Sequence, residues 1–244
     1  MSEIIEVSDE ALEAMDKLKV PANLKQPIKK LSFITDENLY KEIIKYLDKT
    51  FPMQKSNLSQ ELKFEDSVMK GSNIYIAVGV DMFLKKQNLG YRIATQRDLE
   101  TNLQRFRGFS EDTGLALRSL DGPNKSQAGH LYKQLKLKNP KIKFPIFIEL
   151  KDLELDENLN FNLTNGSKYK IADCLNWENG EKYSKIDEFG LPEEINRGSK
   201  RKIFTNNSGL VKACIGRDLN FCTDYGDFLY PYNKGRVVLA KVGK

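Results

Sequence analysis

Residues 213–242 read ACIGRDLNFCTDYGDFLYPYN, then Lys234-Gly235, then RVVLAKV. The last seven, 236–242, are rich in Val and follow the turn signal Asn233-Lys234-Gly235, so they predict a strand with Val237 and Leu239 in the core. The 21 residues before that turn, 213–233, contain no Lys, Glu, Gln, Met or Trp, although the rest of the chain is rich in lysine and glutamate. None of these five residues has a codon ending in a pyrimidine, whereas every residue present in the segment can have one. The segment holds three tyrosines, three aspartates, two asparagines and two of the chain's three cysteines. Tyrosine supplies large contact area at low entropic cost, and Asp and Asn supply hydrogen bonds, so the composition suits adaptable recognition. The plainer alternative is a Tyr-rich loop ahead of a terminal strand.

Upstream, the texture divides near residue 70. Residues 1–70 are rich in Lys and Glu and are punctuated by Pro21, Pro27 and Pro52. Leu39, Ile43, Ile44, Leu47 and Phe51 recur at helical spacing, predicting an amphipathic helix over 36–50, and Ser8 would cap a shorter helix through Leu18. This region reads as a helical N-terminal extension, and residues 71–244 as the main domain. Within it, 74–80 (IYIAVGV) predicts a buried strand and 98–106 a helix with Thr95 as N-cap. Gly122-Pro123-Asn124 predicts a turn, Leu131, Leu135 and Leu137 a short helix ending before Asn139-Pro140, and 144–150 and 169–175 strands. Residues 178–181 predict a turn and 186–197 a loop. Helices mixed with short, mostly antiparallel strands give an α+β class.

The chain has 244 residues with 40% hydrophobic and 30% charged, a globular composition. No apolar run approaches the roughly 20 residues that span a bilayer, and the acidic start MSEIIEVSDE is unlike a signal peptide. The expectation is a chain without signal peptide or transmembrane segment, virion-associated or cytoplasmic before assembly, with no membrane insertion. Three cysteines without a CxxC argue against a disulfide framework. One histidine, His130, excludes a site needing two imidazoles, so no metal and no cofactor is expected. The net charge of +5 is mild and interspersed, which argues against a nucleic-acid ligand. The alternative function is nevertheless a nucleic-acid-associated protein using Lys-rich patches such as 133–143. A steep loss of affinity with salt would distinguish it.

Catalytic signals are weak. There is no GxGxxG, Walker A, HExxH or GxSxG. His130 has no adjacent acid–nucleophile pattern and reads as a packing residue. The acids of 151–157 (KDLELDE) alternate with leucines as on a half-exposed strand rather than forming a catalytic pair. Ser110-Glu111-Asp112 reads as a solvated loop. The chain is expected not to be an enzyme.

Ser208-Gly209-Leu210, then Asp218-Leu219, then Gly235-Arg236-Val237-Val238-Leu239 resemble the variable region of proteins diversified by diversity-generating retroelements, in their archaeal and viral branch. In that family, adenines of a template are copied with errors, and Asn codons become almost any codon ending in a pyrimidine, which matches the missing residue types. Tyr91-Arg92-Ile93-Ala94-Thr95-Gln96-Arg97-Asp98-Leu99-Glu100 is similar to the R-L-P-T-x-x-E-W-E signature opening the first helix of C-type-lectin-fold domains related to formylglycine-generating enzymes, with departures at Ala94, Asp98 and Leu99. The two matches bracket roughly 150 residues and leave 1–70 uncovered. The resemblance implies a C-type lectin fold with a small twisted antiparallel sheet. Its variable region, at about 209–240, would be shown to solvent for recognition of a protein or cell-surface ligand. Leu210, Leu219, Phe221, Phe228 and Leu229 would anchor it. Cys214, Arg217, Asn220, Cys222, Asp224, Tyr225, Asp227, Tyr230, Tyr232 and Asn233 would be the ligand-binding positions. Calcium and sugar are not implied: no E-P-N, Q-P-D or W-N-D triplet is present, and Trp177-Glu178-Asn179 is not one.

Overall fold

The computed structural model describes residues 31–206, 208–230 and 235–242. The chain is mixed α+β, with several small sheets and no closed barrel. Strand β1 (Leu31–Phe33) is followed by helix α1 (Glu37–Thr50), whose start is set locally: the Asp36 carboxylate accepts from the backbone N–H groups of Asn38 and Leu39. Ile43 and Leu47 form its buried face. A hairpin of β2 (Lys63–Glu65) and β3 (Val68–Lys70) then leads into helix α2 (Ile74–Lys86).

Here the expected strand at 74–80 is overturned. Asn73 caps the segment through Ile76 N–H, and ten of the helix's residues, from Ile74 to Leu84, are buried. An apolar run buried on all sides has no period, so helix and strand look alike in sequence. Consequently 92–106 does not hold the first helix of the region after residue 70.

Strand β4 (Tyr91–Ile93) precedes short helix α3 (Gln96–Glu100), with Thr95 as N-cap and a reciprocal capping box to Asp98. A 3₁₀ turn follows at Leu103–Phe106. Next come β5 (Glu111–Leu117), helix α4 (Lys125–Lys138), β6 (Ile146–Glu149), β7 (Leu153–Leu155), β8 (Phe161–Leu163) and β9 (Tyr169–Ile171). Helix α4 starts earlier than expected and buries Leu131 and Leu135, while Leu137 is exposed. The expected strand at 169–175 stops at Ile171 and turns into a 3₁₀ segment. Residues 186–197 are loop, with isolated bridges, and strands β10 (Ile203–Thr205), β11 (Leu210–Ile215), β12 (Phe221–Tyr225) and β13 (Val238–Lys241) complete the chain.

Two sheets organise these elements. In the smaller, β13 lies between β1 and β4, antiparallel to both. The larger runs β10-β12-β11-β5-β6-β9, with only the β10–β12 pair parallel. The terminal strand is thus central and adjoins the strand ahead of α3. The boundary expected at residue 70 falls inside one hydrophobic core: Ile34, Ile43, Leu47 and Phe51 cluster with Ile74, Val78, Leu115 and Leu239. The shorter helix expected at 8–18 lies outside the described residues.

Two polar clusters lock the frame. The Asp98 carboxylate accepts from Arg92 at 2.6 Å and from the Thr95 N–H and hydroxyl, each at 2.9 Å. Burial alone would push this carboxyl up, but Arg92 and the Thr95 donors outweigh it and hold the group below its usual range. Glu100 receives both terminal nitrogens of Arg201, at 2.6 and 2.8 Å, tying α3 to the segment entering β10. The polar residues of the YRIATQRDLE stretch are therefore held in structural bonds, some within the stretch and others to Thr113, Asp187 and Arg201. Among the described residues, no helix is long and apolar enough to cross a membrane.

Candidate functional site

The hairpin β11–β12 forms the candidate site. Its turn, 216–220, closes with Gly216 accepting from Leu219 N–H at 2.8 Å and donating to the Asn220 carbonyl at 2.8 Å. Leu219 sits at φ +63°, in the left-handed region that β-hairpin turns of this kind usually give to Gly or Asn. Its side chain is buried beside Phe106 and Ile215, which offsets the strain. Asp218-Leu219 thus pairs an exposed turn residue with an internal anchor.

Both neighbours of β11 bulge at the same level. Lys212 faces Tyr225 and Cys214 faces Cys222, so β12 carries one extra residue between the two pairs. On the other side Ala213 faces Gly114 and Cys214 faces Asp112, so β5 carries one as well. Each bulge re-aims the side chains that follow it and raises the local twist. Gly114 is required between them, because a Cβ there would sit 2.6 Å from the Ile148 carbonyl oxygen.

A single side chain gathers the two ends of the hairpin. The Asn124 amide, in the turn expected at 122–124, donates to the Leu210 carbonyl at 2.8 Å and to the Gly226 carbonyl at 2.7 Å. Gly209, at φ +74°, packs its backbone against Pro123, where a Cβ would meet atoms at 2.6 Å. Beyond the hairpin, Phe228 enters an aromatic cluster with Tyr75 and Phe161, at centroid distances of 5.9 and 5.7 Å.

Between these fixed points lies an open pocket of about 570 Å³. Eight of the ten sequence-predicted positions line it: Cys214, Arg217, Asn220, Cys222, Asp224, Tyr225, Asp227 and Tyr230. Tyr232 and Asn233 lie outside the described residues. Five of the eight are exposed, Tyr225 at 43% and Tyr230 at 54%. The other three depart from the expected exposure. Cys214 and Cys222 are buried in the pocket floor, because alternation along paired strands turns them under the rim. Asn220 is half-buried and employed structurally, its amide oxygen accepting from Lys202 N–H at 2.7 Å. Of the expected anchors, Leu210, Leu219, Phe221 and Phe228 are buried, but Leu229 is 42% exposed. It follows an Asx turn in which Asp227 accepts from Leu229 N–H, and that turn places Phe228 rather than Leu229 inward.

Sequence reasoning missed the support beneath the pocket. Lys212 is fully buried, with its ammonium 5.8 Å from the ring centres of both Tyr225 and Tyr230. It also donates to the Tyr230 carbonyl at 3.4 Å and lies 4.0 Å from Asp112. Burial pushes the Asp112 carboxyl up, opposed by the Lys212 charge. One residue away, Glu111 faces the other way and accepts from the Arg236 backbone N–H at 3.1 Å and Nε at 3.2 Å. The Arg236 guanidinium is held between the Phe33 and Phe109 rings, at 4.0 and 3.6 Å. Burial pushes Glu111 up to about 8 against the pull of Arg236. The expected solvated loop at 110–112 is therefore wrong. These acids are internal because each has a cation from a distant strand, which local sequence does not display. Lys212 alone had a weak signal, as the lysine immediately preceding a lysine-free segment.

The remaining candidates have ordinary roles. His130 lies on α4 with Nε2 2.9 Å from the Asn162 amide oxygen. In 151–157, Leu153 and Leu155 are buried and Glu154 is exposed on β7, the expected half-exposed strand. Among the described residues, no three His, Cys, Asp or Glu side chains come together as a metal site. Comparison with protein-family models, with curated proteins and with solved structures finds no match to the chain.

Proposed function

We propose that the chain is a non-enzymatic ligand-binding protein with a C-type lectin fold. Its hairpin and following segment are diversified by a retroelement and displayed to a protein or cell-surface ligand. The observation that carries this reading is the convergence of the missing-codon segment on one pocket. Side chains scattered from 214 to 230 share a single cavity, while Leu219, Phe221 and Phe228 between them, and Leu210 ahead of them, are buried. A surface that tolerates change needs such fixed points, because missized or polar substitutions in a core cost several kcal/mol, about 2–5 for large-to-small changes. The central β13 beside β4 and α3 also supports the lectin-type arrangement, in which the terminal strand adjoins the strand ahead of that helix. The tyrosine rim offers an apolar but hydroxyl-bearing surface suited to protein recognition. The nucleic-acid alternative gains no comparable support: in the stretch 133–143, Lys136 lies over Tyr132 and Lys138 donates to the Thr164 carbonyl.

Sequencing the DNA beside the coding region tests the proposal. A near-copy of the bases encoding 209–240, differing at adenines and lying next to a reverse-transcriptase gene, is the expected result. A genome with no such copy overturns the diversification.

A further inference from the structure

The pocket floor carries a chemical feature that recognition does not require. Cys214 on β11 and Cys222 on β12 are direct partners in the antiparallel ladder. Facing residues of such a pair have Cα atoms about 4.5–5.5 Å apart, inside the roughly 4.4–6.8 Å over which a disulfide closes without backbone movement. Neither is in a disulfide, the Cys214 thiol is hydrogen-bonded to Cys222, and both line the cavity. The third thiol, Cys174, is set apart. It clusters with Ala213 and Phe221, whose side chains leave the opposite face of the same hairpin.

We propose that Cys214 and Cys222 are a dithiol site that exchanges with small-molecule disulfides of the glutathione class to form an intramolecular disulfide across the pocket floor. The two thiols differ in role. Cys222 is 7% exposed and Cys214 is fully buried, so an incoming disulfide meets Cys222 first. The hydrogen bond to Cys222, and then burial, push the Cys214 thiol well above its ordinary range. Cys222 Sγ attacks one sulfur of the small disulfide, forming a mixed disulfide and expelling one small thiol, which takes the Cys222 proton. Cys214 Sγ then attacks Cys222 Sγ, the mixed S–S bond breaks, and the second small thiol leaves with the Cys214 proton. Two protein thiols are oxidised and one small disulfide is reduced to two thiols. The bond joins the strands next to the hairpin's turn and removes both sulfhydryls from the cavity, giving the pocket two chemically distinct floors.

The test needs no ligand and is therefore separate from the proposed function. The full chain is incubated with oxidised glutathione at mildly alkaline pH, denatured and alkylated. The expected result is an intact mass lower by about 2 Da before alkylation, one alkylated cysteine rather than three after it, and a peptide map joining 214 to 222. Cys174→Ser should behave as the parent except that no cysteine is alkylated. Cys214→Ser should stop at the mixed disulfide, with glutathione retained on Cys222. Three alkylated cysteines in the treated parent, stable glutathione adducts on both pocket cysteines, or a bond involving Cys174 would each overturn the proposal.

Discussion

Glu111 and Asp112 are consecutive on β5, and each is buried against a cation from a distant part of the chain, yet the two pairs are built differently. Glu111 receives two hydrogen bonds from Arg236, whose guanidinium is gripped by two phenylalanine rings. Asp112 is only 4.0 Å from Lys212, and the lysine faces tyrosines that are half open to solvent. The first pair joins the larger sheet to the smaller one through the segment entering β13. The second lies under the pocket. Alternation along a strand has separated a closed, ring-packed pair from one beneath an open pocket within two residues.

The most damaging way to break this contrast is Glu111→Leu. It leaves the Arg236 guanidinium in its aromatic slot without an acceptor, and a buried charged group left unsatisfied costs about 3 kcal/mol or more. Urea unfolding should show that loss, and a variant of near-parental stability would mean the rings alone hold the arginine. Acidity supplies a second handle. Glu111 is raised from 4.5 to about 8 in the folded chain, so the folded state holds an extra proton between those values. Its contribution to stability is complete below about pH 4.5 and lost as pH rises through about 8. Glu111→Gln should flatten the fall in urea midpoint across that window, and a parental slope in the variant would show that other groups govern it.

Lys212→Met should cost less than Glu111→Leu, about 1–3 kcal/mol. Its Asp112 partner is already pushed up by burial and can take a proton instead of remaining an unpaired charge. A cost equal to or above that of Glu111→Leu would erase the distinction between the two faces. The smallest effect belongs to the rim. Tyr225→Ser and Tyr230→Ser should each lie within about 0.5 kcal/mol, as exposed substitutions usually do. A thermal melt in which this pair unfolds the protein would make the tyrosines core residues.

The parts of this architecture that the sequence made readable are those decided by neighbours in the chain. Asp36, Thr95 and Asp98 announce helix starts because their capping partners are two or three residues away. The RVVLAKV strand is readable from β-branched residues behind a turn. Residues 74–80 were not, since a helix buried all round leaves no polar face to reveal its period. In the site, the composition of 213–233 singled out residues that line one pocket, but register decided how they are arranged. Two bulges, one on each side of β11, place Asp112, Cys214 and Cys222 at one level, and neither has a local signature. Arg236 and Lys212 reach acids more than 90 residues away, so the solvated reading of 110–112 failed for lack of any visible partner.

The position of β13 also has a kinetic consequence. Val238–Lys241 separates β1 from β4, with Leu31 opposite Ala240 and Ile93 opposite Leu239. Neither outer strand has its ladder partner until the ribosome has passed residue 241. Closing such distant pairings is slow compared with forming local helices and hairpins. The smaller sheet is therefore a late step in folding, and a chain interrupted or frame-shifted anywhere in the hairpin never acquires it. Such a product would keep β1 and β4 as unpaired edges and be open to proteolysis. Placing the hairpin ahead of the strand that completes the frame makes stable folding a check on intact translation.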